Sequence, residues 1–343
     1  MTTDTALIEG LAREGREVLA KTLKPRDRFA LVDFPNHTNV GDSAIWLGEL
    51  AALEDLGLGA PVYVCDLETY SARELRRRTE GGTILIHGGG NLGDLWPRHQ
   101  EFRERVVAEH RDCPIVQLPQ SVRFSEPAAL ERARRVFGDH PDLTLLVRDR
   151  ASLDRARAEF DTPSAPCPDL ALCLPLRSRP QAPARELQWL LREDVEAAGH
   201  RDGELPGGAV PVDWLEELPG GAARRARRLG SLLAGAGAPG RRAAPILWRL
   251  WHAAARERLE RGMQVLSEGE VVVTDRLHAH ILCLLLSIPH VVLPDRHGKI
   301  EPFLETWTGT SDLVVFAPDV QAAAEAARGL RSRHPGAGEK RAS

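Results

Sequence analysis

The sequence predicts an α/β protein of two domains, each built on a parallel, doubly wound sheet, facing each other across a cleft. Two observations predict it. Short apolar runs alternate with helical patterns at the spacing of βα units. The alternation breaks at a proline cluster, Pro175, Pro180 and Pro183, and then resumes. A chain of 343 residues is long for one core and comfortable for two. The first domain is therefore placed at 1–180 and the second at 186–330, with a frayed tail over 331–343.

Each element has its own signal. Leu7, Ile8, Leu11, Val18 and Leu19 fall on one helical face within residues 4–22. Residues 28–34 read as a buried strand, and a loop over 35–39 leads to a helix from about Gly41 to Leu56. Residues 62–65 form a second strand, and Ser71 with Glu74 makes a capping box that opens the next helix. Residues 83–87 form a third strand, ending in a tight turn at Gly88-Gly-Gly-Asn91, and a helix then runs to near Arg111. Strands follow at 114–118 and 143–147, with a helix between them that carries Pro127 in its first turn. The second alternation has strands at 187–191, 270–274, 290–293 and 312–316, a helix ending at Leu286 and a closing helix over 320–330. Residues 199–245, rich in Gly, Ala, Pro and Arg, read as a surface excursion.

Composition narrows the class. At 43% hydrophobic and 27% charged residues the chain is in the globular range, and its net charge of -4 gives no general reason to bind nucleic acid. The apolar run Ile281–Leu286 is far short of a bilayer span. The first residues lack the basic and apolar regions of a signal peptide. The cysteines at 65, 113, 167, 173 and 283 form no metal-binding spacing and read as reduced core thiols, so a cytoplasmic location is expected. The arginines at 224, 225, 227, 228, 241 and 242 read as a solvated face, with an anionic membrane surface as the alternative contact.

The chemistry-bearing residues gather where strands end. Asn39-Val-Gly41-Asp42 opens a helix after the first strand, either as a capped turn or as an anion site. Gly88, Gly89 and Gly90 with Asn91 and Asp94 follow the third strand, where glycines let a backbone approach a phosphate or carboxylate. Gln120 and Ser121 follow the fourth, and Arg148-Asp149 the fifth. Ligands in open α/β sheets bind at this edge. In the second half Arg276 and His278 open a helix after a strand, and Lys299 follows the next strand. An arginine fork suits phosphate or carboxylate, and a histidine can move a proton near neutrality. His280 reads as a structural helix histidine.

Taken in order, these motifs resemble the polysaccharide pyruvyl transferase family. The resemblance covers about residues 28–310 and also includes Pro168-Asp169, Leu191-Arg-Glu-Asp194, Asp213-Trp214, Ile288-Pro-His290 and Trp307. It departs from the family pattern at Asp295-Arg-His297, where an Asn and a Tyr are usual. What it implies is a glycosyltransferase-B-like fold of two Rossmann-like domains. The implied activity moves the pyruvyl group of phosphoenolpyruvate onto a sugar as a ketal and releases phosphate. The acceptor would be an exopolysaccharide or cell-wall glycan, or a lipid-linked precursor, and the enzyme would work in the cytoplasm or at the inner face of the membrane. Under this reading Arg276 and Lys299 hold the donor, His278 is the acid, and Asp42 or Asp94 takes a hydroxyl proton. Asn39, Gly41, Gly89, Gly90, Asn91, Gln120, Ser121 and Arg148 complete the binding surface, with no metal and no cofactor expected. A glycosyltransferase using a nucleotide sugar is the alternative on the same fold.

Overall fold

The computed structural model describes residues 3–23, 28–215, 221–233 and 238–334. In chain order the first half contains α1 (Thr3–Thr22), β1 (Phe29–Val32), α2 (Val40–Asp55), β2 (Tyr63–Cys65), α3 (Ala72–Thr79), β3 (Thr83–Ile86), β4 (Gly89–Gly93), α4 (Pro97–Glu109), β5 (Ile115–Arg123), α5 (Pro127–Gly138), β6 (Leu143–Val147), α6 (Arg150–Glu159) and β7 (Ser164–Pro166). The second contains β8 (Arg185–Leu190), α7 (Ala222–Leu233), α8 (Ala238–Ser267), β9 (Gly269–Thr274), α9 (Leu277–Leu285), β10 (His290–Val292), α10 (Ile300–Phe303), β11 (Val314–Phe316) and α11 (Val320–Arg333).

These strands form two parallel sheets. The first runs β2-β1-β3-β5-β6-β7, with β4 also paired to β5; the second runs β11-β10-β9-β8. Parallel strands covered on both faces need apolar side chains throughout, which is why β1 and β3 are buried at every position. Successive side chains point to opposite faces. Ala30 and Val32 therefore join Ile84 and Ile86 in one apolar cluster, while Phe29 and Leu31 join Leu85 in another.

The second of these clusters does not stop at the sheet. It continues through Trp46 of α2 and Trp251 and Leu259 of α8 to Leu190, Val272 and Val292 of the other sheet. The two sheets thus share one apolar layer. The expected linker lies in the interval between β7 and β8.

Four expectations from the sequence are corrected here. The glycine run is not only a turn, because Gly89–Gly93 forms a short strand beside β5 with an irregular register. β5 itself runs on through Pro119-Gln-Ser121 to Arg123, so those residues lie within a strand rather than after it. The 199–245 stretch contains α7 and the start of α8; Ala222, Ala223 and Ala226 of α7 are buried, because small side chains on one face let the helix sit close to its neighbour. The closing helix continues past Leu330 to Arg333; the rest of the expected tail, from 335, lies outside the described residues.

The five cysteines are free and buried. Among the described residues no helix is long and apolar enough to cross a membrane.

Candidate active site

A cavity of about 330 Å³ opens between the carboxyl ends of the two sheets and is lined from both. Its first wall begins at the α2 N-terminus. Asn39 caps that helix by accepting the Gly41 N–H at 3.1 Å, and its amide donates to Asp42 at 2.7 Å. Burial alone would raise the Asp42 carboxyl, but His37 and His278 opposite it hold it down to about 2. It is therefore an anion at neutral pH.

Arg148 follows β6 and is 2% exposed. Its Nε donates to the Ser121 hydroxyl at 2.9 Å and its Nη1 to Asp169 at 2.9 Å. The same Asp169 oxygen lies 3.3 Å from His278 Nε2. Burial opposes charge on Asp169, yet His278 and Arg148 together drive its carboxyl well below the usual range. An anion at that point orients the histidine ring and fixes the guanidinium.

The facing wall comes from the second half. Arg276 follows β9 as the N-cap of α9, donating to Asp213 at 2.6 Å and to Asp194 at 3.3 Å, with its guanidinium 5.7 Å from the Trp214 ring centre. Its Nε is buried without a partner. Arg192 holds Asp194 through two bonds of 2.9 Å. Glu196 accepts from Arg192 Nη1 at 2.9 Å, Lys299 Nζ at 3.1 Å and the Trp96 indole at 3.0 Å, the last across the cavity from the first half. Burial pushes the Lys299 ammonium down, and Glu196 opposes that shift.

Glycine is required where the walls meet. A Cβ on Gly90 would lie 2.8 Å from Arg148 Nη2 and 3.3 Å from Lys299 Nζ, so its backbone is wedged between two cations. Behind it, the buried Glu49 carboxylate accepts the Gly88 N–H at 2.7 Å and pairs with His87 Nδ1 at 2.8 Å. Gln120 holds the Asn91 N–H at 2.9 Å, and Arg103 donates to the Asn91 side chain at 2.6 Å.

The structure thus brings Asn39, Asp42, Gly90, Asn91, Arg148, Arg276, His278 and Lys299 to one cavity. Gly41, Gly89, Gln120 and Ser121 stand behind this lining and brace it. Asp94 does not join them. It accepts from the Ser125 N–H at 2.7 Å, from the Ser125 hydroxyl at 3.0 Å and from the Glu126 N–H, and so fixes the turn into α5. Sequence reasoning assigned no role to Trp96, Asp169, Arg192, Asp194, Glu196 or Asp213. Asp169, Asp194 and Asp213 lay in recognised motifs, but nothing local says which cation each carboxylate meets.

Outside the cavity, one group of His110, Asp112 and Cys113 brings potential metal-ligand atoms within 4.8 Å of one another. No comparable group falls in the cavity among the described residues.

The cavity combines an oriented histidine, an ionised carboxylate and a set of fixed cations, which suits an anionic substrate and a proton transfer. Comparison with known proteins then decides the family. The profile of the polysaccharide pyruvyl transferases matches residues 39–297, a span holding every residue that lines the cavity except His37, Thr38 and Lys299.

The chain belongs to the polysaccharide pyruvyl transferase family.

It is 30% identical to Pyruvyl transferase 1 of Schizosaccharomyces pombe over 82% of this chain and 69% of that protein. It is 29% identical to the Bacillus subtilis protein EpsO over 84% of this chain and 88% of that protein. A solved structure of an uncharacterised Klebsiella pneumoniae protein superposes with a TM-score of 0.58 at 16% identity, covering 92% of this chain and 99% of that one. That likeness concerns the fold alone. In this member of the polysaccharide pyruvyl transferase family, the fixed cations and His278 lie on the walls of one cavity.

Proposed function

We propose that the enzyme transfers the pyruvyl group of phosphoenolpyruvate to two hydroxyls of one sugar, forming a ketal and releasing phosphate. The observation that carries this is that three cations, Arg148, Arg276 and Lys299, line a single cavity together with His278. A donor bearing a phosphate and a carboxylate needs several fixed positive groups, and a sugar acceptor alone needs none.

His278, as imidazolium, gives a proton to the methylene carbon of the donor. The double-bond electron pair forms the new C–H bond, and the adjacent carbon becomes electron-deficient. One sugar hydroxyl adds there and loses its proton to Asp42. A carboxylate held at about 2 is a weak base, but the oxonium formed on addition is a far stronger acid, so the transfer runs downhill. The carbon–oxygen bond to phosphate then breaks, its electron pair leaving with the phosphate. The second hydroxyl closes the ketal, and its proton leaves on the phosphate. Return of the Asp42 proton to His278 resets the site. Acid–base help of this kind is worth about 10²–10⁴ in rate, and holding donor and acceptor in one cavity supplies more. The family match favours this reading over the nucleotide-sugar glycosyltransferase.

Thermal melting with each donor tests it. Phosphoenolpyruvate should raise the melting temperature by mass action, by less in high salt, and a nucleotide sugar should not. With a panel of sugars, phosphate should be released together with a pyruvylated product. A shift with the nucleotide sugar and none with phosphoenolpyruvate overturns the assignment.

A further inference from the structure

A second cavity of about 90 Å³ lies beside the first, sharing Gly90, Asn91 and Lys299 with it. It is too small for a sugar ring and its hydroxyls, and it is strongly basic. Arg123, Arg155, His297 and Lys299 line it, against one carboxylate, Asp149. That carboxylate is already committed. It accepts the Ser152 N–H at 2.7 Å, the Ser152 hydroxyl at 2.9 Å and the Ser121 hydroxyl at 3.1 Å.

The two arginines have no carboxylate partner among the described residues. Arg123 donates to the His297 carbonyl at 2.8 Å and Arg155 to the Val122 carbonyl at 3.0 Å, which leaves most of each fork free. His297 adds an independent sign. Both its ring nitrogens are shielded from solvent, and among the described residues neither has a hydrogen-bond partner. A shielded polar atom without a partner costs free energy, and a ligand that accepts from it removes that cost. Burial and the adjacent Lys299 and Arg123 hold the ring below the usual histidine range, against the opposing pull of Glu196 and Asp295.

We propose that this second cavity is a site for inorganic phosphate. A tetrahedral oxyanion fits its size, can engage both guanidinium forks and can accept from His297. That it receives the phosphate released by pyruvyl transfer, passed across Lys299 and Gly90, rests on the function proposed above. That it binds the anion does not.

Equilibrium dialysis with labelled inorganic phosphate tests the site on the full chain. Wild type should bind phosphate even with phosphoenolpyruvate saturating the larger cavity. The Arg123→Gln/Arg155→Gln variant should lose at least about tenfold in that affinity while keeping the melting shift induced by phosphoenolpyruvate. Arg123 is exposed, so Arg123→Gln alone serves as a variant that folds, with a smaller loss in the same direction. Unchanged phosphate affinity in the double variant, or complete displacement of phosphate by phosphoenolpyruvate in wild type, overturns the site. A protein that binds phosphate through these arginines but gives no shift with phosphoenolpyruvate keeps the site and removes only the product role.

Discussion

Gly41 and His278 touch so closely that any side chain at position 41 would have to displace the ring. A Cβ there would lie 2.5 Å from Nδ1 of the ring and 2.8 Å from its Cγ. The first turn of α2 therefore sets how far the ring can swing, and Asp169 fixes its other edge. Gly41→Ala should favour the helix locally yet displace the ring. Turnover should fall by about a hundredfold, the cost of a misplacement near 1 Å. Wild-type turnover in a folded Gly41→Ala protein would show that the ring position is not critical.

His278→Gln separates binding from chemistry. Glutamine can still hydrogen-bond Asp169 but cannot deliver a proton at neutral pH. Binding of phosphoenolpyruvate, read as a melting shift, should persist while phosphate release is lost. A structural role for His278 predicts the opposite, a less stable protein with activity in its folded fraction.

Arg276→Lys should act on the donor. Arginine holds both Asp213 and Asp194 through one terminal nitrogen, Nη2, and among the described residues its Nε lacks a partner. Lysine keeps the charge but cannot spread it over that geometry. KM for phosphoenolpyruvate should rise by about tenfold or more with a smaller change in kcat. An unchanged KM would remove Arg276 from the donor site.

Asp169→Asn leaves Arg148 and His278 in place without their shared anion. Breaking a buried pair in this way costs about 3–5 kcal/mol, visible in denaturant unfolding. The sign of the pH effect is fixed by the depressed carboxyl. In wild type its stabilisation is complete above the ordinary carboxylate value of 3.8 and is lost as pH falls below it. The variant should lack that part of the acid-induced loss, and an identical acid limb in both proteins would contradict the pairing.

His280 and His290 form a buried neutral chain. Their facing nitrogens are 2.7 Å apart, His280 Nε2 meets the Thr308 hydroxyl at 2.8 Å, and His290 Nδ1 meets the Ile288 carbonyl at 2.8 Å. Burial pushes both rings down, His290 to about 4. Both therefore take up protons more readily in the unfolded chain, near 6.5, than in the folded one. Their stabilisation is complete above about pH 6.5 and is lost as pH falls toward 4, by on the order of 3 kcal/mol for His290 alone. Melting temperature should decline across that window, and the two imidazole resonances should titrate well below the ordinary 6.5. Ordinary titration of both near 6.5 would exclude the neutral chain.

The sequence by itself determined the parallel strands and most helices, because burial on two faces writes continuous apolar runs such as Phe29–Val32 and Thr83–Ile86 into neighbouring residues. It also placed Asn39, Asp42, Arg148, Arg276 and His278 at strand ends, since a βα turn is a local signal. Only the tertiary structure decided which charges meet. Asp42 and Asp94 look equivalent in sequence, yet one faces the cavity and the other caps a turn, because Asp94 is held by the Ser125 and Glu126 N–H groups ahead of α5. Asp169 reaches His278 across 109 residues and Glu196 reaches Trp96 across 100, and such partners are chosen by how the two sheets pack, not by any local pattern. The helices within 199–267 were hidden for a related reason: their prolines and glycines weaken the local signal, and packing against α2 and the second sheet supplies the stability that propensity does not.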